Sequence, residues 1–461
     1  MHPKLVKHIV YPVHERLMRR PTFSYLESLE RSQWQSRAEI ESLQFGKLKE
    51  LLQLAFQHCT WHARRLQEAG VDPNASESLD WSDLRRIPTM DKQDAQENRE
   101  DMAWLGVPGG AYKYNTGGSS GQPLVFYFGR WRQASDTAGR LRAQRWWGID
   151  PGDPQVWLWG APAELQKTDK VKLIRDRLIN HLFLNAFEMS PANMDRYIQA
   201  IQNYKPTSIY GYASSLTLLA ARSRERKQDV RLPSLKAVFT TGEPVYPHQR
   251  KMISEVFGVP VANEFGSRDI GFTAHETPDN QMLLMSESHI LEVLDPKGFP
   301  APPGEYGQAV VTGLCSQAQP FIRYQTGDMV QVSEDVCRKG RGLHVLKDIA
   351  GRTTDFITRS DGTIMHALAV IYVLRAVEGV GEFKLFQHGT RDVEVLVVPN
   401  TQWQTSDEAR IIKGLQTRLG EDLQVRIRLV KAIPPEASGK FRYVVSYVPL
   451  PDDLVVQEES A

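Results

Sequence analysis

Long apolar runs are missing from this chain. No stretch approaches the roughly 18 consecutive apolar residues that a membrane-spanning helix needs. Cysteine is scarce: Cys59, Cys315 and Cys337 are the only three in 461 residues, and none stands in a CxxC pair. A disulfide scaffold and a Cys/His zinc site are therefore not expected, and free thiols suit a reducing cytoplasm. Charge of one sign is also lacking. Lys and Arg number 56 against 55 Asp and Glu, a net charge of +1. That balance gives no electrostatic footprint for nucleic acid. No G-x-x-x-x-G-K-[ST] occurs, which excludes a Walker phosphate loop.

Hydrophobic residues make up 41% of the chain, enough for a large core in two or three domains. The opening "MHPKLVKHIVYPVHERLMRR" lacks the continuous apolar core of a signal peptide. Its mix of Leu, Val, Ile and Arg predicts a helix docked on its own domain, with a membrane surface as the alternative. Residues 1–105 read as mostly helical. Apolar residues recur at three-and-four spacing through "RAEIESLQFGKLKELLQLAFQHCTWHARRLQEAG", and Gly70 is the stop. From Tyr112 the texture changes. "AYKYN" and "LVFYF" read as short strands, as does "GDPQVWLWG". Helices and strands then alternate through "NMDRYIQAIQNY", "KPTSIYGY", "SSLTLLAARSRER", "LKAVFTTG", "PHQRKMISEVFG" and "VPVANEFG". This rhythm argues for an α/β domain with a mostly parallel sheet. After Gly351, "FKLFQHG", "DVEVLVV", "SDEARIIKGLQTRLG" and "QVRIRLV" form a small α+β module. The expected division is a large domain over 1–350 and a small mobile domain over 351–461.

Between the strands "AYKYN" and "LVFYF" lies a Gly/Ser loop, within "YNTGGSSGQPLVFYFGR". Three readings compete for it. A flexible linker fits the composition. A G-x-S-x-G nucleophile elbow fits Gly117 to Gly121 and would make Ser119 the nucleophile of a serine hydrolase, but it needs a helix straight after the serine. A phosphate cradle fits as well. Gly117, Gly118 and Gly121 permit positive φ and close approach of anionic oxygens, and the hydroxyls of Thr116, Ser119 and Ser120 can donate.

Six stretches in order then resemble the adenylate-forming superfamily, in its phenylacetate–CoA ligase branch with the capsule-biosynthesis-like relatives. "YNTGGSSGQP" resembles its phosphate loop and "VFTTGEPV" its adenine-side segment. "NEFGSRDIG" resembles the aromatic-Gly-Ser-x-acid motif, and "FIRYQTGDMV" the Arg-Tyr-x-Thr-Gly-Asp motif. "DIAGRTTDFI" is similar to the hinge and "PPEASGKFR" to the terminal Gly-Lys motif. "LERSQW" and "IYGYASSL" point to this branch. The resemblance spans nearly the whole chain.

It implies a ligase that activates a carboxylic acid with ATP and Mg²⁺, releases pyrophosphate and passes the acyl group to CoA or to another thiol or amine. Gly242 and Glu243 would border the adenosine, with capping of a helix near Pro244 as the ordinary role for the acid. Phe265, followed by Gly266 and Ser267, would stack on adenine. Asp269, where the family usually has Glu, would hold Mg²⁺. Asp328 would accept from both ribose hydroxyls. Arg323 and Arg352 would be cationic partners for the acid or phosphate. Lys440 would be catalytic, its ammonium offsetting the repulsion between carboxylate and α-phosphate. Around Trp159, Tyr210, Tyr212 and Phe239 an acid pocket and ordinary core packing are both open. The hinge departs from the family pattern, with Thr354 before Asp355. The stretch "AHETPDNQMLLMSE" lacks the Cys and His that some relatives carry, so no zinc is expected there. A nucleotide-binding protein that has lost catalysis is the remaining alternative.

Overall fold

The computed structural model describes residues 1–75, 78–115, 124–159, 175–186, 189, 191–352, 356–360, 364–366, 368–433 and 443–448. The chain divides into two compact units. The first comprises Met1–Glu292, Ala309–Thr326 and Val332–Asp348. The second comprises Val293–Gln308, Gly327–Gln331 and Ile349–Ala461.

Helices dominate the first hundred residues of the first unit. The longest, Arg37–His58, starts where sequence chemistry requires. Ser36 and Glu39 cap each other's orphan N–H groups, the Ser36 N–H donating to Glu39 at 2.8 Å. Its buried face, with Leu48, Leu51, Leu52 and Ala55, packs against Leu66, Ile87 and Ile322. Two strands follow, β1 (Ala111–Asn115) and β2 (Val125–Gly129), paired antiparallel from Ala111↔Gly129 to Asn115↔Val125. The Gly/Ser segment 116–123 falls between these two strands in sequence and lies outside the described residues. The next described element after Ser119 is the strand β2, whereas a nucleophile elbow calls for a helix; Ser119 itself lies outside the described residues.

The helix Arg130–Trp146 leads into β3 (Gln155–Trp159), β4 (His181–Asn185), β5 (Ser208–Gly211), β6 (Ala237–Thr241) and β7 (Val261–Ser267). These five are parallel, in the order β4-β3-β5-β6-β7. β8 (Gly271–Glu276) and β9 (Met282–Leu284) continue the sheet antiparallel. Beyond β9 come β13 (Val345–Arg352), β12 (Tyr324–Val332), β11 (Tyr306–Gly313) and β10 (His289–Leu294).

Strands β5 and β6 are buried along their whole length, because parallel strands are covered on both faces and read as continuous apolar runs. On one face Val156, Leu158, Ile209 and Val238 meet Ile198, Leu216, Leu219, Ile253 and Phe257 of three helices. Those helices are Pro191–Tyr204, Ala213–Glu225 and Pro247–Phe257. Each such side chain contributes about 1.5–3 kcal/mol on burial. The other face is aromatic: Trp147, Trp157, Tyr210 and Phe239 gather around Ile149 and Ala262.

The second unit contains β14 (Phe356–Thr358) paired with β15 (Ile364–His366), and a four-stranded sheet. The latter, β18 (Gln424–Leu429), β17 (Asp392–Pro399), β16 (Val380–Gly389) and β19 (Val444–Ser446), runs in that order. Strand β17 alternates Val393, Val395 and Val397 into the core, the period-2 signature of a half-buried strand. The helix Thr405–Leu419 buries Ile411, Leu415 and Leu419. Gly414 lets it approach the helix Leu368–Arg375 closely, since a Cβ there would stand 2.5 Å from Val373. Gln387 is fully buried and ties three strands together. Its amide accepts the Thr358 N–H at 3.0 Å and the Ser446 hydroxyl at 2.8 Å, and donates to the Thr358 carbonyl at 2.6 Å.

Candidate active site

In the parallel sheet the chain runs from β3 outward to β4, then returns to place β5 on the other side of β3. The order therefore reverses between β3 and β5, a topological switch point. In open α/β sheets, ligands bind outside the carboxyl ends of the strands at such a point. The expected site residues of the first unit stand at these ends. Trp159 closes β3, and Tyr212 follows β5. Gly242 and Glu243 follow β6, while Phe265, Gly266 and Ser267 close β7.

Gly211 brings β5 hard against β3, because a Cβ would lie 2.6 Å from the Leu158 carbonyl oxygen. The Trp159 and Tyr212 rings stack beside it at 4.4 Å. Tyr210 packs on Trp157 at 4.4 Å. Phe239 is wholly buried among Ile149, Ala237 and Ala262, which is the core-packing alternative left open for it by the sequence.

Gly242 has φ +72, a left-handed conformation that turns the chain sharply after β6. That turn aims Glu243 at the start of a neighbouring helix. Its carboxylate accepts the Ser214 N–H at 2.9 Å and the Ser214 hydroxyl at 3.0 Å. Glu243 thus caps the helix Ala213–Glu225 from outside it.

The β7–β8 turn is crowded. A Cβ on Gly266 would sit 2.3 Å from the Gly271 carbonyl oxygen, and Gly271 itself has φ +97. Within the turn the Ser267 hydroxyl donates to one oxygen of Asp269, and the Tyr324 hydroxyl donates to the other at 2.8 Å. Arg132, buried in the helix after β2, donates to the Asp269 carbonyl and to the Arg268 carbonyl, the latter at 2.9 Å. The Arg268 guanidinium in turn donates to the Asn115 carbonyl at 3.3 Å, the last residue before the Gly/Ser segment. Two stretches 153 residues apart in sequence are thereby joined: the aromatic-Gly-Ser-Arg-Asp turn is tied to the end of β1 and to the helix that follows β2.

Asp269 is half-buried and acidic, which suits Mg²⁺, an ion that takes one or two carboxylates and keeps its remaining places for water and substrate phosphates. Among the described residues no group of three or more His, Cys, Asp and Glu forms a metal cage.

Sequence reading missed a polar cluster on the aromatic face. Glu264 precedes Phe265 in β7 and is nearly inaccessible. It receives Arg140 at 3.2 and 3.3 Å, the Tyr210 hydroxyl at 2.7 Å and the Thr241 hydroxyl at 3.1 Å. Burial, reinforced by the Glu264 charge, raises the Tyr210 phenol above its ordinary value, so it remains a donor. Arg140 also lies over the Phe272 ring at 5.2 Å. The signal was the acid in "NEFG": a carboxylate buried within a strand of the central sheet demands a cation.

Arg323 proves structural. Its guanidinium grips Glu292 at 2.9 and 3.0 Å and donates to the Arg85 and Ile87 carbonyls at 2.8 and 2.6 Å. In the second unit, Asp328 is half-buried on β12 after Gly327, whose φ is +74, and Arg352 ends β13. Thr116, Gly117, Gly118, Ser119, Ser120, Gly121 and Lys440 lie outside the described residues, as do Thr354 and Asp355.

The CapK C-terminal domain family matches residues 357–447. The chain is 27% identical to a phenylacetate–coenzyme A ligase of Thermus thermophilus over 448 residues, covering 89% of this chain and 97% of the relative. It is 22% identical to protein CapK of Staphylococcus aureus, covering 80% and 81%. Among solved structures it superposes on 2-hydroxyisobutyryl-CoA ligase in its postadenylation state, with a TM-score of 0.73 and 24% identity over 90% and 91% of the two chains. The fold is that of adenylate-forming CoA ligases. Over most of its length the sequence is similar to phenylacetate–CoA ligases.

Proposed function

We propose that this protein is an adenylate-forming ligase that joins a carboxylic acid to AMP from ATP, releases pyrophosphate and transfers the acyl group to CoA. The observation that supports this reading is the tie from Arg268 to Asn115 and from Arg132 to Asp269, which joins the end of β1, just before the Gly/Ser segment in sequence, to the turn of Phe265 and Asp269 at the carboxyl ends of the strands.

The roles follow from the chemistry. Thr116 to Gly121 hold the phosphates with backbone N–H groups and hydroxyls. Phe265 stacks on adenine, with Gly242 and Glu243 bordering the nucleoside; Asp328 takes the ribose hydroxyls and Arg352 faces the phosphates. Asp269 holds Mg²⁺, which neutralises phosphate charge when bound. The acid enters near Trp159, Tyr210 and Tyr212. A carboxylate oxygen attacks the α-phosphorus in line, the bond to pyrophosphate breaks, and Lys440, carried by the second unit, offsets the charge that accumulates. The adenylate carbonyl then accepts the thiol sulfur, and AMP leaves with the electron pair. The second unit is read as the lid that delivers Lys440.

A second reading of the acceptor rests on the CapK match over 357–447. In that reading an amine or carrier group would take the acyl group in place of CoA. ATP–pyrophosphate exchange across a panel of carboxylic acids tests the first step, with Lys440→Ala as control. Exchange untouched by that substitution removes the assignment of Lys440, and absence of exchange on every acid, with ATP still bound, favours the non-catalytic alternative. Trapping the activated acid with CoA or with hydroxylamine separates the two acceptors.

A further inference from the structure

The helical run at the start of the chain has two faces with different fates. It is built from Pro3–Leu5, a π-helical turn Val6–Val10 and Tyr11–Leu17. One side is docked on the first unit. Val6 and Tyr11 are buried with Tyr25, Leu26 and Ile179. Gly152, at φ +89, admits the helix so closely that a Cβ would stand 2.9 Å from both Lys7 N and Pro3 O. Lys7 is paired with Asp150 at 2.9 Å, and Arg20 with buried Glu15 at 2.6 Å.

The other side is apolar and bare. Leu5, Ile9, Val13 and Leu17 recur every fourth residue and are 44%, 54%, 50% and 78% exposed, with Met18 beside them. On a regular α-helix such a row drifts by roughly 40° per step. The wider π turn lies inside this row and offsets the drift, so the four side chains keep closer to one stripe. The adjacent row is Lys4, His8, Pro12 and Arg16, and Arg19 follows. Lys4, His8, Arg16 and Arg19 are exposed, and Lys4, Arg16 and Arg19 pair with no carboxylate among the described residues. Five of the first twenty residues are Lys or Arg against one acid, Glu15, in a chain whose overall charge is only +1.

We propose that this face is a docking surface for an anionic lipid bilayer, on which the protein rests reversibly with Leu5, Ile9, Val13 and Leu17 at the acyl boundary and Lys4, Arg16 and Arg19 among the headgroups. An apolar stripe flanked by basic residues is what an interfacial helix requires, and anionic lipid answers both features at once. A second copy of the chain does not. An isologous contact would bring the same basic row against itself, and like charges repel.

The full chain is sedimented with vesicles of phosphatidylcholine alone and of phosphatidylcholine mixed with phosphatidylglycerol. Binding is expected to the anionic vesicles only, and to fall as salt is raised. Ile9→Ser combined with Leu17→Ser weakens it at least about tenfold. Lys4→Ser, Arg16→Ser and Arg19→Ser each weaken it roughly fivefold. All five positions are exposed, so the melting transition and the free enzyme's activity are unchanged. Failure to co-sediment overturns the proposal, as does binding equal in both vesicle types or insensitive to these variants. A change of oligomeric state in the Ile9/Leu17 variant, without vesicles, overturns it in favour of a protein partner.

Discussion

Arg140 and Glu264 meet in a two-point ion pair, Nε to Oε2 at 3.2 Å and Nη2 to Oε1 at 3.3 Å, between the helix Arg130–Trp146 and the end of β7. Glu264 is almost fully enclosed and has two further donors, Tyr210 and Thr241. Removing one partner of such a pair leaves the other charge buried and uncompensated. Glu264→Ala is expected to destabilise the first unit by about 3–5 kcal/mol. Glu264→Gln retains two of the contacts and loses less. Denaturant midpoints of the two variants check this, and equal midpoints would show that the pair is not holding β7.

Tyr324 bears on the expected Mg²⁺ site. Its hydroxyl donates to Asp269 at 2.8 Å and so fixes how that carboxylate is turned. Partners of this kind are worth about tenfold or more in metal affinity. Tyr324→Phe should raise the Mg²⁺ concentration for half-maximal pyrophosphate exchange by roughly 10-fold. Thermal stabilisation by Mg²⁺–ATP, measured without turnover, should weaken in parallel. An unchanged Mg²⁺ dependence would remove Asp269 from the metal.

Glu243 acts on helix Ala213–Glu225 from outside, accepting from Ser214 N–H and hydroxyl. Glu243→Ala exposes an orphan N–H at the helix start and should cost about 1 kcal/mol. Gln at this position keeps an acceptor and should recover part of it. If Glu243 also borders the nucleoside, Ala raises the KM for ATP more than that for the acid. Equal effects on both would leave it a structural cap alone.

His62 and His181 make stability depend on pH. Burial, with Arg65 next to it, pushes the His62 imidazole down to about 3, and burial with Arg175 and Arg140 does the same for His181. His62 is held neutral by geometry as well, with Nε2 at 2.9 Å from the Pro320 carbonyl and Nδ1 at 3.3 Å from Arg65. Unfolded, each takes up a proton near its ordinary value of 6.5. Between about 6.5 and about 3 the unfolded state therefore binds more protons, so stability falls as pH falls. Each histidine contributes a slope of roughly 1.4 kcal/mol per pH unit in that window. Unfolding at a series of pH values from neutral downward measures it, and His62→Gln should lower the slope by roughly 1.4 kcal/mol per pH unit. A slope unchanged in that variant would mean His62 is already protonated in the fold.

Much of the architecture was legible because its causes are local. Alternation in "DVEVLVV" made β17, the Ser36–Glu39 pair started the long helix, and continuous apolar runs made β5 and β6. The helix Leu368–Arg375 and strand β4 escaped notice, being short apolar segments in which periodicity does not separate helix from strand. Arg132 and Arg140 were passed over too. Nothing near them in sequence tells an arginine that clamps a distant turn from one that faces water.

Sequence by itself determined the resemblance to the adenylate-forming superfamily, the order of its motifs and the two strands that flank the glycines, since each depends on residues adjacent in the chain. Only the tertiary structure decided which helix Glu243 caps, that Phe239 is core, that Arg323 belongs to Glu292, and that Arg268 reaches Asn115. The physical reason is the same in each case. A buried polar group must find a partner, and the sheet's strand order, not sequence distance, sets which partner is within 3 Å or so.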